Sequence, residues 1–180
     1  LGQTSQLLLN DGSGTFTPLA NSGVESVPSI AANAVFADFD GDARVDLFVG
    51  LGHTSYAGPD QLLLGQGDGT FVNASHQLAA NPAKPTNGTV VCDYDGDGDP
   101  DILVSTYGVS HEAGHNVLWE NDGAGNFTNV AEAVGFAYQV TGNYHLADTG
   151  YGLDGETNPG VYGPIGSNGF GLDCDDIDGD

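Results

Sequence analysis

A nine-residue acidic segment, residues 93–101, constrains the fold of this chain more than any other feature. Its sequence, Asp-Tyr-Asp-Gly-Asp-Gly-Asp-Pro-Asp, places a carboxylate at every odd position. Alternating Asp residues in a tight turn can direct several oxygens to one centre, and calcium takes about six to eight oxygen ligands at about 2.3–2.6 Å. Gly96 and Gly98 are predicted to supply positive φ angles that let the backbone wrap inward. The spacing therefore predicts a calcium-binding loop, with carboxylates at its first, third, fifth and ninth positions and a main-chain carbonyl near Asp99.

The flanking residues distinguish this loop from an EF-hand. An EF-hand loop begins with a similar pattern but requires a bidentate Glu at its twelfth position, where this chain has Val104. Residues 90–92 and 102–104, on either side of the loop, are of strand-forming types, so we predict a β-hairpin and not a pair of helices. A solvated acidic turn without an ion is the alternative, because charge runs are commonly solvated.

The acidic segment belongs to a repeat of about 55 residues. Residues 38–46 form a related acidic segment that precedes residues 93–101 by 55 positions. We name these segments the first and the second acidic loop. A hairpin pattern with a Gly-rich turn occurs three times and ends at Phe16, Phe71 and Phe127, which we predict to be core anchors together with Trp119. Each unit predicts four short strands, beginning near Ala34 in one unit and near Thr89 in the next, and this is the content of a β-propeller blade.

The repeat predicts an all-β chain of antiparallel four-stranded β-propeller blades. The predicted segments are the outer half of a preceding blade at 1–20, a blade at 33–73, a blade at 89–129, a Gly- and Tyr-rich insert at 130–169, and the start of a further blade at 170–180. Two whole and two partial blades make an incomplete propeller, since a ring usually needs about four to eight. Either the sequence is a piece of a longer propeller, or several chains share blades through unpaired edge strands.

The Leu-Leu-x-Asn-x-Gly-x-Gly-x-Phe hairpin and the acidic loops resemble the FG-GAP/VCBS repeat family, which includes cartilage acidic protein-like, ASPIC/UnbV-associated and integrin α-chain repeats. The resemblance implies blades of a calcium-binding β-propeller. Carried over by position, it implies one ion held by Asp38, Asp40, Asp42 and Asp46 with the carbonyl of Arg44, and another held by Asp93, Asp95, Asp97 and Asp101 with the carbonyl of Asp99. A third, truncated loop carries Asp176, Asp178 and Asp180. The first acidic loop departs from the family pattern at Ala43, where Gly is usual, which implies a slightly strained geometry.

The charge balance excludes some partners and favours cations. The chain has 25 acidic and two basic residues, for a formal net charge of −23. Nucleic acid and anionic membrane surfaces would be repelled, and no apolar run approaches the roughly 18 residues of a membrane span. The demand for calcium and the family resemblance predict an extracellular protein, secreted or at the cell surface.

Two cysteines and three sequons fit an extracellular setting. Cys92 and Cys174 could form a disulfide between neighbouring strands or remain buried thiols. Asn73, Asn87 and Asn126 begin Asn-x-Ser/Thr sequons, so each is a possible glycosylation site.

Histidine and tyrosine residues are predicted at the end of the blades opposite the acidic loops. In a four-stranded antiparallel blade, the loops after the first and third strands leave one end, and the other connections leave the opposite end. The predicted ligand face comprises His53, Tyr56, His111, Glu112, His115, Tyr138, Tyr144, His145 and Tyr151. Aromatic rings suit stacking on sugars or packing on proteins, so we expect a protein, a carbohydrate or further copies of the chain as partner.

A possible catalytic motif occurs within this face. Residues 111–115 fit the His-Glu-x-x-His pattern of zinc peptidases, but that chemistry requires a helix. The repeat places these residues in a hairpin loop, which argues against a peptidase site. A surface metal site at His111 and His115 is the alternative that this placement allows.

No nucleophile elbow, phosphate-binding Gly loop or redox motif is present in the sequence. We therefore predict a structural, adhesive or ligand-binding module and not an enzyme, with calcium in a structural role. A metal-assisted or glycan-processing enzyme on the ligand face and a subunit of a fibre or matrix are the alternatives.

Overall fold

The computed structural model describes residues 4–53, 56–106, 116–137 and 172–174. These residues form strands and two short 3-10 helices, which confirms the predicted all-β class. The strands are β1 (Leu7–Asn10), β2 (Phe16–Leu19), β3 (Ala31–Ala37), β4 (Asp46–His53), β5 (Tyr56–Ala57), β6 (Gln61–Gly65), β7 (Phe71–Asn73), β8 (Thr86–Cys92), β9 (Asp101–Thr106), β10 (Val117–Asn121) and β11 (Phe127–Asn129). The 3-10 helices are Val24–Ser26 and Ser75–Gln77. Within the described ranges, no helix has the length and apolar character needed to cross a membrane.

Two antiparallel sheets share one strand order. They run β3-β4-β6-β7 and β8-β9-β10-β11, and the short strand β5 pairs with β4 outside this order. We name them the first and the second blade. Leu47 lies opposite Leu63 in the first blade, and the equivalent Ile102 lies opposite Trp119 in the second. The prediction of four-stranded antiparallel blades is confirmed.

The first strand of each blade begins earlier than the sequence pattern indicates. β3 starts at Ala31 and β8 at Thr86, and each strand contains a register shift two residues later. A bulge inserts an unpaired residue and breaks the alternation of the strand. Each strand therefore continues across its bulge, beyond the predicted short run that leads into the acidic loop.

Each blade carries apolar residues on both faces. Phe48 of β4 packs in a buried cluster with Ile102 and Trp119 of the second blade. Its neighbours Leu47 and Val49 point to the other face and form a separate cluster with Val24 and Val27, against which Leu7 also packs. Both faces of β4 are covered, which agrees with the uninterrupted run of apolar residues and Gly at positions 47–51. The two blades stack face to face, and the β1–β2 hairpin borders the far side of the first blade.

The three predicted Phe anchors differ in burial. Phe127 is buried in the cluster between the blades, and Phe71 is partly buried. Phe16 is 59% exposed, so the prediction that it is a core anchor is wrong. Phe127 is covered by the preceding blade, whereas no sheet precedes the β1–β2 hairpin among the described residues. Trp119 is fully buried, as predicted.

A disulfide joins Cys92 to Cys174, with their Cα atoms 6.3 Å apart. Cys92 ends β8, the strand that leads into the second acidic loop. The bond ties residue 174, 82 positions further along the chain, to the first strand of the second blade.

Candidate metal centre

Each acidic loop connects the first and second strands of its blade and gathers three carboxylates. In the first acidic loop, Asp38, Asp40 and Asp42 offer oxygens that lie within 4.8 Å of one another. In the second acidic loop, the oxygens that lie equally close belong to Asp93, Asp95 and Asp101, at its first, third and ninth positions. Two oxygens bound to one calcium ion, each at about 2.5 Å, lie at most about 5 Å apart. The oxygen-only ligands and the spacing of both trios therefore fit a calcium ion.

Backbone amides hold the first Asp of each loop in place. Asp38 accepts hydrogen bonds from the amides of Asp42 at 3.1 Å and Ala43 at 2.9 Å. Asp93 accepts equivalent bonds from the amides of Asp97 and Gly98, both at 3.0 Å. The chain is thereby wrapped around the leading carboxylate.

The turn geometry confirms the predicted role of the loop glycines. Gly96 and Gly98 have φ angles of 78° and 97°. In the first acidic loop, Ala43 takes the place of Gly98 and has a φ of 65°. A non-Gly residue in the left-handed region is strained, so this finding agrees with the strain predicted at Ala43.

The ninth residue of each loop has a role that the sequence pattern did not indicate. Asp46 accepts hydrogen bonds from the amides of Phe39 at 2.8 Å and Gly65 at 2.7 Å. Asp101 accepts the same pair of bonds, from Tyr94 at 3.0 Å and from the amide of Asn121 at 2.8 Å. Each carboxylate therefore fastens its acidic loop to the third strand of its blade.

Both ninth-position carboxylates are buried. Burial raises the pKa of Asp46 and of Asp101, and the hydrogen bonds from the backbone amides oppose that shift. Asp101 also belongs to the carboxylate trio of its loop, whereas Asp46 does not belong to the trio of the first acidic loop.

Comparison with known families matches two overlapping parts of this architecture. The profile of the FG-GAP-like repeat matches residues 2–49 and residues 38–104. The first match runs from the β1–β2 hairpin through the first acidic loop, and the second runs from that loop into β9. The chain belongs to the FG-GAP-like repeat family. Among curated proteins, no significant match was found.

The remaining predicted ligands of these FG-GAP-like repeats have other contacts. Asp97 accepts a hydrogen bond from the amide of Asp99 at 2.9 Å and lies outside the second carboxylate trio. Arg44 forms an ion pair with Asp42, and its Nε donates to the carbonyl of Gly65 at 2.9 Å. The carbonyl ligands of Arg44 and Asp99 remain predictions.

Several predicted residues lie outside the described part of the FG-GAP-like chain. They are Asp176, Asp178 and Asp180 of the third loop, and His111, Glu112, His115, Tyr138, Tyr144, His145 and Tyr151 of the ligand face. His53 ends β4 and Tyr56 begins β5, and only their backbone is described. The described start of the insert, up to Ala137, packs Ala131 and Ala137 beside Leu118 of the second blade.

The three sequons differ in accessibility. Asn73 and Asn126 are exposed, although Asn126 donates a side-chain hydrogen bond to Asp122 at 2.9 Å. The side-chain nitrogen of Asn87, which would carry the glycan, is buried. Glycosylation at the three sequons remains a prediction, and Asn73 and Asn126 have the more accessible side chains.

A buried carboxylate, which the sequence patterns did not indicate, lies at the opposite end of the first blade. Asp60 accepts hydrogen bonds from the amide of Leu51 at 2.8 Å and from the hydroxyl of Thr86, in the second blade, at 2.9 Å. Burial raises the pKa of Asp60 to about 7. Asn116 occupies the equivalent place in the second blade and accepts from the amide of Thr106 at 3.2 Å. The recurrence of Asp and Asn at this point of the repeat was the available signal.

Proposed function

We propose that this FG-GAP-like chain is an extracellular calcium-binding β-propeller module in which the first and second acidic loops each bind one calcium ion. The observation that carries the proposal is the pair of carboxylate trios, each with oxygens within 4.8 Å, in the same loop of two successive blades. Calcium is structural in this proposal, and the module has a structural, adhesive or ligand-binding role.

The charge of the loops supports a stabilising role for calcium. Each loop holds several carboxylates close together in a chain with a net charge of −23, and a bound divalent cation relieves their mutual repulsion. Binding to the folded state alone adds about 2.7 kcal/mol per site when free calcium is about a hundredfold above its dissociation constant.

Two further features support the extracellular location. The disulfide between Cys92 and Cys174 suits an oxidising compartment, because structural disulfides persist there. Extracellular modules also bind calcium at dissociation constants of about 10⁻⁴–10⁻³ M. Acidic loops of comparably low affinity would therefore be adequate for an extracellular protein.

Isothermal titration calorimetry with calcium chloride tests the binding sites. We expect the wild-type chain to bind at least two ions, and Asp40→Asn and Asp95→Asn each to lose one. Asp68→Asn is the matched control, since Asp68 is an exposed carboxylate whose hydrogen-bond partner is Thr70 in the β6–β7 turn. Unchanged stoichiometry in both loop variants would refute the assignment.

The partner is proposed to be a protein, a carbohydrate or further copies of the chain. Light scattering after size exclusion, in calcium and in chelator, separates the last case from the others. A mass that is a multiple of the chain mass in calcium and falls in chelator supports shared blades. A constant single-chain mass leaves a heterologous protein or carbohydrate as the proposed partner.

A further inference from the structure

The turn between β10 and β11 lies between the two acidic loops. A Cβ atom placed on Gly125 would lie 3.2 Å from the Cβ of Asp40, in the first acidic loop. A Cβ atom placed on Gly123 would overlap the carboxylate of Asp99, in the second acidic loop. The turn is therefore in close contact with one loop on each side.

Asn121 ends β10 at the base of this turn and bonds to both loops. Its side-chain Nδ2 donates to the carbonyl of Phe39 at 2.9 Å, in the first acidic loop, and to the carbonyl of Pro100 at 3.1 Å, in the second. Its side-chain oxygen accepts from the amides of Gly123 and Gly125, both at 3.2 Å. With both amide hydrogens and both lone pairs engaged, this buried side chain is fully satisfied.

The backbone of Asn121 adds a third link. Its amide donates to Asp101 at 2.8 Å, and Asp101 is a member of the second carboxylate trio. One residue therefore contacts the second position of the first loop and the last two positions of the second loop. In such a network, each bond that is held in place favours the next.

The other two hairpins show that this bridge is local. Asn10 accepts the same turn bonds, from the amides of Gly12 and Gly14 at 3.1 Å, but it is exposed, and within the described part of the chain no side-chain bond joins it to the first or the second acidic loop. Gly65 occupies the equivalent place in the first blade and has no side chain, yet its amide still donates to Asp46. The turn can thus form without the side chain, and the amide bond to the ninth Asp needs only the backbone.

We propose that Asn121 couples the two acidic loops, so that calcium binding to one raises the affinity of the other. The calcium part of this proposal rests on the proposed function. Ordering the first loop fixes the carbonyl of Phe39, which holds the Asn121 amide in position for Pro100. The second loop is then partly ordered before it binds, and an effect of one site on another is reciprocal.

Calorimetric calcium titrations of loop variants test the coupling. Disabling the first loop with Asp38→Asn and Asp40→Asn should weaken calcium binding at the second loop about fivefold or more, the lower end of typical couplings. The quantity compared is the ratio of the second loop's dissociation constants with the first loop disabled and intact. In an Asn121→Gly background, which copies the natural Gly65, this ratio should fall to about one. Asn10→Gly is the matched control and should leave the ratio at its wild-type value. Asn121→Ala replaces Asn121→Gly where the latter unfolds.

Hydrogen exchange on calcium-free protein gives a second, metal-independent readout. Asp38→Asn should speed exchange of the Gly98 amide, which bonds to Asp93 in the other loop, and Asn121→Gly should abolish this effect. The coupling would be overturned if disabling the first loop left calcium binding at the second loop unchanged. It would also be overturned if Asn121→Gly left the ratio of dissociation constants at its wild-type value. Absence of calcium binding at both loops would instead refute the proposed function, and the exchange experiment would then decide the coupling alone.

Discussion

The first and the second acidic loop share one spacing of carboxylates but differ in their surroundings. Phe39, at the second position of the first loop, is fully buried and packs edge-on against Phe127 of the second blade, with ring centroids 5.7 Å apart. Tyr94, at the same position of the second loop, is only partly buried and donates its hydroxyl to Glu120 of its own blade. Local amide bonds therefore shape both loops alike, while packing against the neighbouring blade supports the first loop more than the second.

The largest expected difference between the loops concerns these two aromatic residues. Phe39→Ala should lower the free energy of unfolding by about 3–5 kcal/mol, because it opens a cavity in the core between the blades. Tyr94→Ala should cost less than half as much, because less of its side chain is buried. Urea denaturation followed by circular dichroism measures both free energies of unfolding. Equal losses in the two variants would contradict the view that the neighbouring blade packs more firmly on the first loop than on the second.

The two blades also differ at the end opposite the acidic loops, where the first blade has Asp60 and the second has Asn116. This difference should make the stability of the chain depend on pH. The folded-state pKa of Asp60 is about 7 and the ordinary value is 3.8, so the folded chain binds more protons than the unfolded chain between these values. The contribution of Asp60 to stability is therefore present at low pH and is lost as the pH rises towards 7, with a slope of up to about 1.4 kcal/mol per pH unit.

Asp60→Asn copies Asn116 of the second blade and should remove this slope from the pH dependence of the unfolding free energy. Lys84 lies close enough to oppose the shift, and burial lowers its own pKa. Denaturation at pH 4, 5.5 and 7 measures the difference between the wild type and the variant. Parallel pH profiles would show that Asp60 does not titrate in this range.

The ninth positions should behave alike without calcium and differ with it. Asp46→Asn and Asp101→Asn each turn a side-chain NH₂ towards a backbone amide, and each should cost about 2 kcal/mol in chelator. In saturating calcium, Asp101→Asn should lose more, since only Asp101 belongs to a carboxylate trio. Thermal melts in calcium and in chelator measure the two losses of stability. A larger calcium-dependent loss for Asp46→Asn than for Asp101→Asn would contradict the placement of Asp101, and not Asp46, beside the ion.

The smallest expected effect concerns the turn residue that differs between the loops. Ala43→Gly should stabilise the chain by about 1 kcal/mol, because Ala43 has a φ of 65°. Gly98→Ala should destabilise it by a similar amount, since Gly98 has a φ of 97°. Denaturant midpoints measure the two changes, and a loss of stability in Ala43→Gly would contradict the strain at this residue.

The sequence predicted those features that are local and repeated. The period of about 55 residues, the acidic spacing and the short apolar runs gave the strand order and the positions of both loops. The loop glycines were predictable because the backbone geometry of a tight turn depends on few neighbours.

Long-range contacts were not predictable in the same way. The bond from Asn121 to Phe39 joins residues 82 positions apart, whereas Asn10 in the same motif has only local side-chain bonds among the described residues. The amide contacts of Asp46 and Asp101 depend on the third strand, which the loop pattern does not contain. Phe16 is exposed for the same reason, because burial depends on which sheet lies beside the hairpin.

The thermal stabilisation that calcium gives to the wild type and to the double variant Asp40→Asn/Asp95→Asn tests the two proposed calcium sites. We predict that saturating calcium raises the melting temperature of the wild type by about 10 °C or more, from two sites at about 2.7 kcal/mol each. The double variant should lose most of this increase and should match the wild type in chelator, and Asp68→Asn should keep it. An equal increase in the double variant, or none in the wild type, would contradict the claim that the two acidic loops are calcium sites.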